Sequence, residues 1–338
     1  MLETSRALKE MKFEDRILNV QKHEFDSLAL EIFRSQAACN PVYSEYLQRL
    51  RIQPKSIMTL DQIPFLPVEV FKHRVVLMEN QAYENWFESS GTTGSLLAKH
   101  FIPSLNWYHQ IAKACFEFHF GPVGQYDFFA LLPHYLERKH SSLVSMVNHF
   151  MHQAHSEKEP TFFIHDFEAL KVSLQQSLLQ GRRTLLWGVR FALLDFADQF
   201  PGDYKGLMVI ETGGMKGRKR ELSQDLFNQS LLDRMQGINL FSEYGMTEMH
   251  SQAYAHQGFG FKSTNWLKFQ IASPHLPGHL LPFTQRGFVQ IIDLANVNTC
   301  SFLQTQDIGF LDKDGNLNLL GRPDTADARG CSLLYDES

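Results

Sequence analysis

Ser89-Ser90-Gly91-Thr92-Thr93-Gly94 stands between an aromatic run, Trp86-Phe87-Glu88, and a basic pair, Lys99-His100. Two glycines let a backbone turn tightly and bring its N–H groups close to an anion. The hydroxyls around them add donors, and the combination suits a polyphosphate. The stretch is not a Walker loop, because no Gly-Lys-Ser/Thr follows at the required spacing. By itself it reads equally well as a Ser/Gly/Thr surface loop.

Two further stretches decide between those readings. Phe241-Ser242-Glu243-Tyr244-Gly245-Met246-Thr247-Glu248 follows a short apolar run, and Gly321-Arg322-Pro323-Asp324, continuing to Arg329-Gly330, lies further on. In this order, the three motifs resemble those of the adenylate-forming superfamily: acyl-CoA synthetases, firefly-type luciferases and peptide-synthetase adenylation domains. Within it the chain is most similar to the acyl-protein synthetases of bacterial bioluminescence, with phenylacetate-CoA ligases nearer than the rest. The motifs run from Ser89 to Gly330, so the resemblance covers most of the chain.

Composition is consistent with this. At 338 residues the chain is long enough to bury a large core, and its 43% hydrophobic and 20% charged residues are those of a globular protein rather than a disordered one. A formal net charge of −5 supplies no field to attract nucleic acid or an anionic membrane, and the one basic run, 216–220, is short. Cys39, Cys115, Cys300 and Cys331 form no CxxC pair, which argues against a zinc cluster and a disulfide framework and fits reduced thiols in the cytoplasm. Residues 1–20 lack the apolar core of a signal peptide and no window reaches transmembrane length, so a soluble protein is expected.

Apolar periodicity predicts a helix over 24–36, a break at Asn40-Pro41 and a second helix over 42–50, a helical preface within 1–55. The proline-rich 62–67 is expected to be an irregular crossing into a strand over 74–78. Helices over 107–120, 141–155, 167–180, 191–200 and 221–235 then alternate with strands over 127–132, 161–163, 184–187, 207–211 and 238–241. That is the pattern of a layered α/β protein with parallel pairing. Short strand candidates over 267–271, 288–292, 301–304 and 316–320 predict a mostly β subdomain over 265–330, an antiparallel sheet or small barrel. The expected architecture is one adenylate-forming large domain over 1–330 with a tail over 331–338.

The resemblance assigns roles residue by residue. Ser89, Ser90, Gly91, Thr92, Thr93 and Gly94 line the phosphates of ATP. Gly213 and Gly214, in Glu211-Thr212-Gly213-Gly214 after an apolar strand, lie along the adenine and acyl pockets; taken alone, the pair reads equally well as a strand-to-helix turn. Tyr244 stacks on adenine, Thr247 reaches the α-phosphate and Glu248 holds Mg²⁺, chemistry those side chains can perform. Asp307 accepts from the ribose hydroxyls and Arg322 lies near ribose and phosphate, although an Asp before Ile-Gly is by itself a turn residue. His134 is a candidate for the pocket around the substrate carboxylate. His149, His152 and His155 recur every three residues, a step that drifts around a helix, so a metal site is not expected there.

Two departures stand out. The phosphate-loop lysine of larger relatives would fall at Leu97, and the nearest basic residues are Lys99 and His100, so Lys99 takes that role only by a shifted register. Relatives also carry a lid domain after the Gly-Arg-x-Asp hinge, bearing a lysine that contacts the carboxylate. The sequence in hand ends eight residues after Gly330, so no lid is expected in it, and either a lid-supplying partner provides that lysine or the subfamily works without it. Cys331, beside Arg329, matches the C-terminal acyl-carrying cysteine of the bioluminescence synthetases, and reads equally well as a small packing residue. Cys39, Cys115 and Cys300 are expected in the core. The activity implied is ATP- and Mg²⁺-dependent activation of a carboxylic acid and transfer to a thiol. Alternatives are an acyl-CoA ligase, with CoA as acceptor, and a non-catalytic nucleotide- or acyl-binding subunit.

Overall fold

The computed structural model describes residues 12–89, 96–133, 138–154, 162–213, 223–276 and 278–322. It opens with three helices, α1 (Phe13–Asn19), α2 (Phe25–Cys39) and α3 (Pro41–Arg49). Asn40 separates the last two: its backbone is extended, its side-chain oxygen accepts from the N–H groups of Val42 and Tyr43, and Pro41 takes the first helical position. The Asn40-Pro41 break is therefore a capped helix start.

The next segment departs from expectation. Leu66–Pro67, inside the proline-rich crossing, is strand β1, paired in parallel with Leu303 and Gln304, whereas 74–78 forms no strand. Pro67 is tolerated because β1 is an edge strand. Met78 donates its N–H to the carbonyl of Asn298 (3.1 Å), and its own carbonyl accepts from Gln81 across a turn (3.2 Å), which is no ladder. The runs flanking the first motif are the arms of an antiparallel ribbon, β2 (Asn85–Glu88) and β3 (Lys99–Ile102), with Glu88 opposite Lys99 and Phe87 opposite His100.

Then come α4 (Leu105–Phe120), β4 (Tyr126–Leu131), α5 (Ser142–Ala154), α6 (Phe167–Leu179), β5 (Arg183–Val189), α7 (Arg190–Gln199), β6 (Gly202–Asp203) and β7 (Met208–Thr212). They are followed by α8 (Gln224–Arg234), β8 (Met235–Gln236), β9 (Asn239–Tyr244) and β10 (Ala253–His256). The main sheet has the order β10-β9-β7-β5-β4, parallel except for β10, which returns antiparallel on β9. Strand β10 was not anticipated, and of the strand expected over 161–163 the described residues show a bridge between Ala130 and Phe162. Both faces of the sheet are covered. Trp187 and Leu185 join one apolar cluster with Phe116 and Phe150, while Leu186 joins another with Leu170, Phe196 and Phe227. The alternation is the strand's period of two, with each face buried by helices.

The remaining strands, β11 (Leu267–Ala272), β12 (Gly287–Asp293), β13 (Phe302–Leu311) and β14 (Leu317–Gly321), form an antiparallel sheet that β1 extends. Strand β13 runs well past its expected end at 304, so Asp307 is a strand residue rather than a turn residue. The preface is tied to this sheet by Gln36, whose Nε2 donates to the carbonyls of Asn296 (3.0 Å) and Val297 (3.1 Å), and by Asn40, whose Nδ2 donates to that of Thr299 (2.7 Å). Cys115 and Cys300 are buried as expected, but Cys39, in the last turn of α2, is exposed. Among the described residues no helix is long and apolar enough to cross a membrane.

Candidate active site

Strands β7 and β9 run side by side in parallel, Thr212 opposite Glu243, so Gly213 and Tyr244 emerge together at their carboxyl ends. Open α/β sheets leave room for ligands there. Gly213 has φ +73°, a turn conformation that a side chain would strain. Gly245 lies under the Glu243 carboxylate, and a Cβ there would displace Glu243 Oε1.

Three separated motif residues meet at this end of the sheet. Tyr244 is buried, and its Oη donates to Asp307 Oδ2 at 2.7 Å. The other carboxylate oxygen of Asp307 accepts from Arg322 Nε. Burial, followed by the charge of Asp307, raises the phenol well above its usual range, so it remains a donor. Glu248 is 7% exposed, and burial pushes its carboxyl up to about 7; Arg322 opposes that shift, and the charges of Glu69 and Asp307 add to it.

The backbone on either side of Glu248 is held by side chains from elsewhere. The Thr247 carbonyl lies 2.8 Å from His100 Nδ1 and the Glu248 carbonyl accepts from Asn296 Nδ2 at 2.7 Å. A carbonyl can only accept, so His100 carries its proton on Nδ1, and Nε2 faces the Thr299 hydroxyl at 3.0 Å. Asn296 also donates to the Cys300 carbonyl (3.1 Å), which leaves its Oδ1 to accept from His250 Nδ1 at 2.6 Å. Asp293 accepts from the N–H groups of His250, Ser251 and Ala295 and from the Ser251 hydroxyl. Burial lowers His100 to about 3 and His250 to about 4, so both imidazoles are neutral. His250 is itself buried.

Asp293, Asn296, Thr299 and His250 were not anticipated as part of the site. The polar run 293–301 between two apolar strands was visible, but nothing in it shows that it folds inward beneath the Thr247-Glu248 turn. Glu243 was also missed: its Oε2 accepts from Thr212 Oγ, and burial pushes it up to about 7. Lys99 sits on the ribbon, 3.3 Å from Glu88 Oε1 and 5.9 Å from the centre of the Trp86 ring. His140 stacks on Trp86 with centroids 4.0 Å apart, and His149 stacks on His109 at 4.2 Å. Ser89 is described at the edge of the first motif, its N–H donating to the Ala98 carbonyl. Ser90, Gly91, Thr92, Thr93, Gly94, His134, Gly214 and Cys331 lie outside the described residues.

With this geometry in view, the fold is that of the adenylate-forming enzymes. O-succinylbenzoate coenzyme A synthetase from Bacillus subtilis, solved with AMP, superposes over 74% of this chain and 51% of its own, with a TM-score of 0.52 at 16% identity. The luciferase-like enzyme of the nonluminescent mealworm Zophobas morio does so over 72% of this chain and 59% of its own, with a TM-score of 0.50 at 16% identity. The chain thus spans about half to three-fifths of the length of these solved structures. The particular resemblance is to the acyl-protein synthetases: residues 10–100 match the family model "Acyl-protein synthetase, LuxE". The long-chain-fatty-acid–luciferin-component ligase of Vibrio harveyi is 24% identical over 331 residues, 88% of this chain and 84% of that protein.

Proposed function

We propose that the chain is an ATP-dependent, AMP-forming acid–thiol ligase of the acyl-protein synthetase type, acting on a fatty acid. The observation that carries this reading is the meeting of Tyr244, Asp307 and Arg322, from three separated motifs, beside the buried Glu248. A carboxylate oxygen of the acid attacks the α-phosphorus of ATP, the bond to the bridging oxygen breaks, and pyrophosphate leaves. A thiolate then attacks the acyl carbon and AMP departs. Tyr244 and Gly213-Gly214 border the adenine, Asp307 and Arg322 receive the ribose, and Ser89–Gly94, Thr247 and Lys99 face the phosphates, while His134 borders the acid. An oxyanion developing in a dry site is stabilised most by donors already in place.

The site suits Mg²⁺. Glu248 is a buried carboxylate whose surroundings combine the positive charge of Arg322 with the negative charges of Glu69 and Asp307. One carboxylate, completed by phosphate oxygens and water, is a usual Mg²⁺ donor set. Bound there, the ion supplies neutralisation of phosphate charge.

Cys331 is the proposed acyl carrier, with CoA or a second protein as the alternative acceptors and a partner chain as the proposed source of a lid lysine. One large domain over 1–330 with 331–338 as its tail, and a reducing cytoplasm for the free thiols, complete the proposal. ATP–pyrophosphate exchange with acids of graded chain length tests it. Exchange that rises with a long-chain acid is expected, and no exchange with any acid from folded protein would overturn it. Acyl-CoA formed at an undiminished rate by Cys331→Ser would move the acceptor from protein to CoA.

A further inference from the structure

We infer that His100 is a positioning residue for the adenylation step, holding through its Nδ1–H the peptide unit that orients Glu248. The inference rests on the ligase reading above. Its basis is planarity: the Thr247 carbonyl and the Glu248 N–H belong to one rigid peptide unit, and the Glu248 carbonyl belongs to the next. The first is held by His100 at 2.8 Å and the second by Asn296 at 2.7 Å. With both flanking planes fixed, the direction of the Glu248 side chain from the backbone is fixed too. His100 belongs to β3, opposite Phe87 in the ribbon that carries the Ser89–Gly94 motif, so one side chain ties that ribbon to the Thr247-Glu248 turn.

The imidazole is more than filler. Its ring is completely buried, packed edge-on against Phe71 (5.5 Å) and His250 (5.1 Å), a setting in which an apolar side chain would avoid the cost of burying two ring nitrogens. Both nitrogens are instead partnered: the Thr247 carbonyl, which can only accept, selects the Nδ1–H tautomer, and the Thr299 hydroxyl stands 3.0 Å from Nε2. Asn at position 100 offers an amide N–H close to where Nδ1 stands, whereas Leu fills similar space and donates nothing.

The test uses the full chain and begins with wild-type ATP–pyrophosphate exchange. No exchange there rejects the ligase reading itself; exchange in the wild type opens the test of His100. His100→Leu is expected to lower the maximal exchange rate about tenfold while leaving the KM of the acid within about twofold, and His100→Asn to recover the rate to within about threefold of wild type. Wild-type rates in His100→Leu, or equal impairment in both variants, would overturn the inference. Long-range ¹H–¹⁵N spectra of ¹⁵N-histidine-labelled protein supply a readout that packing does not move. A neutral Nδ1–H ring is expected for the signal lost in His100→Asn, and an Nε2–H ring at pH 7 would overturn the inference. Should His100→Leu fail to fold, His100→Gln decides, because its longer amide reaches the place of Nε2 rather than that of Nδ1: a rate about tenfold below that of His100→Asn supports the inference, and equal rates in the two variants reject it.

Discussion

Tyr244 Oη and Asp307 Oδ2 lie 2.7 Å apart although 63 residues separate them in sequence. The bond joins the carboxyl end of β9 in the main sheet to the middle of β13 in the second sheet. Tyr244→Phe removes the phenol's donor and leaves Asp307 with Arg322. A hydrogen bond to a charged group contributes about 1.5–3 kcal/mol, so the KM for ATP should rise about tenfold or more while that for the acid changes little. Steady-state exchange with each substrate varied in turn checks this.

Glu248→Gln preserves shape and one carbonyl oxygen and removes the negative charge. Losing the carboxylate proposed to hold Mg²⁺ should slow exchange by at least about 10²-fold with an unaltered fold. Far-UV circular dichroism alongside the rate separates the two, and near-normal exchange would reject the metal role.

Asn296 satisfies three buried groups at once: the carbonyls of Glu248 and Cys300 and the ring N–H of His250. Asn296→Ala leaves all three without partners. At about 1–3 kcal/mol for each unsatisfied group, a loss of about 3 kcal/mol or more is expected from urea unfolding. A loss under about 1 kcal/mol would show that water or a shifted neighbour replaces the amide.

Glu243 binds its proton more tightly in the folded chain than in the unfolded one, because burial pushes it up to about 7. For an acid raised in this way, its contribution to stability is complete below about pH 4.5 and is lost as pH rises through 7. Glu243→Gln should therefore gain on the wild type between those limits, by at most about 3 kcal/mol at the rate of about 1.4 kcal/mol for each pH unit. Paired unfolding curves at pH 5 and pH 8 measure the difference, and a constant offset would contradict it.

Cys331→Ser should abolish hydroxylamine-labile labelling by radioactive acid and Mg·ATP while keeping pyrophosphate exchange, since adenylation precedes transfer and does not use the thiol. Label that survives in the variant, or that maps to Cys115 or Cys300, would refute the acyl-carrier role.

The main α/β sheet was legible because its strands and helices differ in apolar period, and the breaks at Asn40 and Gly213 carry their own chemistry. Tyr244, Asp307 and Arg322 were legible as motif residues, though not as members of one hydrogen-bonded cluster. Strand β1 was hidden because proline argues against a ladder everywhere except at an edge, and an edge is defined only by the other strands. The clamp on Glu248 was hidden for a related reason. His100, Asn296 and Thr299 are ordinary polar residues in sequence, and only long-range folding turns them inward.

The bonds from Gln36 and Asn40 to residues 296–299 also bear on how the chain is made. Asn40 leaves the ribosome 259 residues ahead of its partner Thr299. At about 5–20 residues per second, the first helices wait roughly 13–50 s with their inward amides unpaired and the apolar face of α2 uncovered. Contacts this far apart also slow the final closure. During synthesis this protein therefore presents a long-lived target for holding chaperones, and Gln36 and Asn40 acquire these partners only after residues 296–299 have been made.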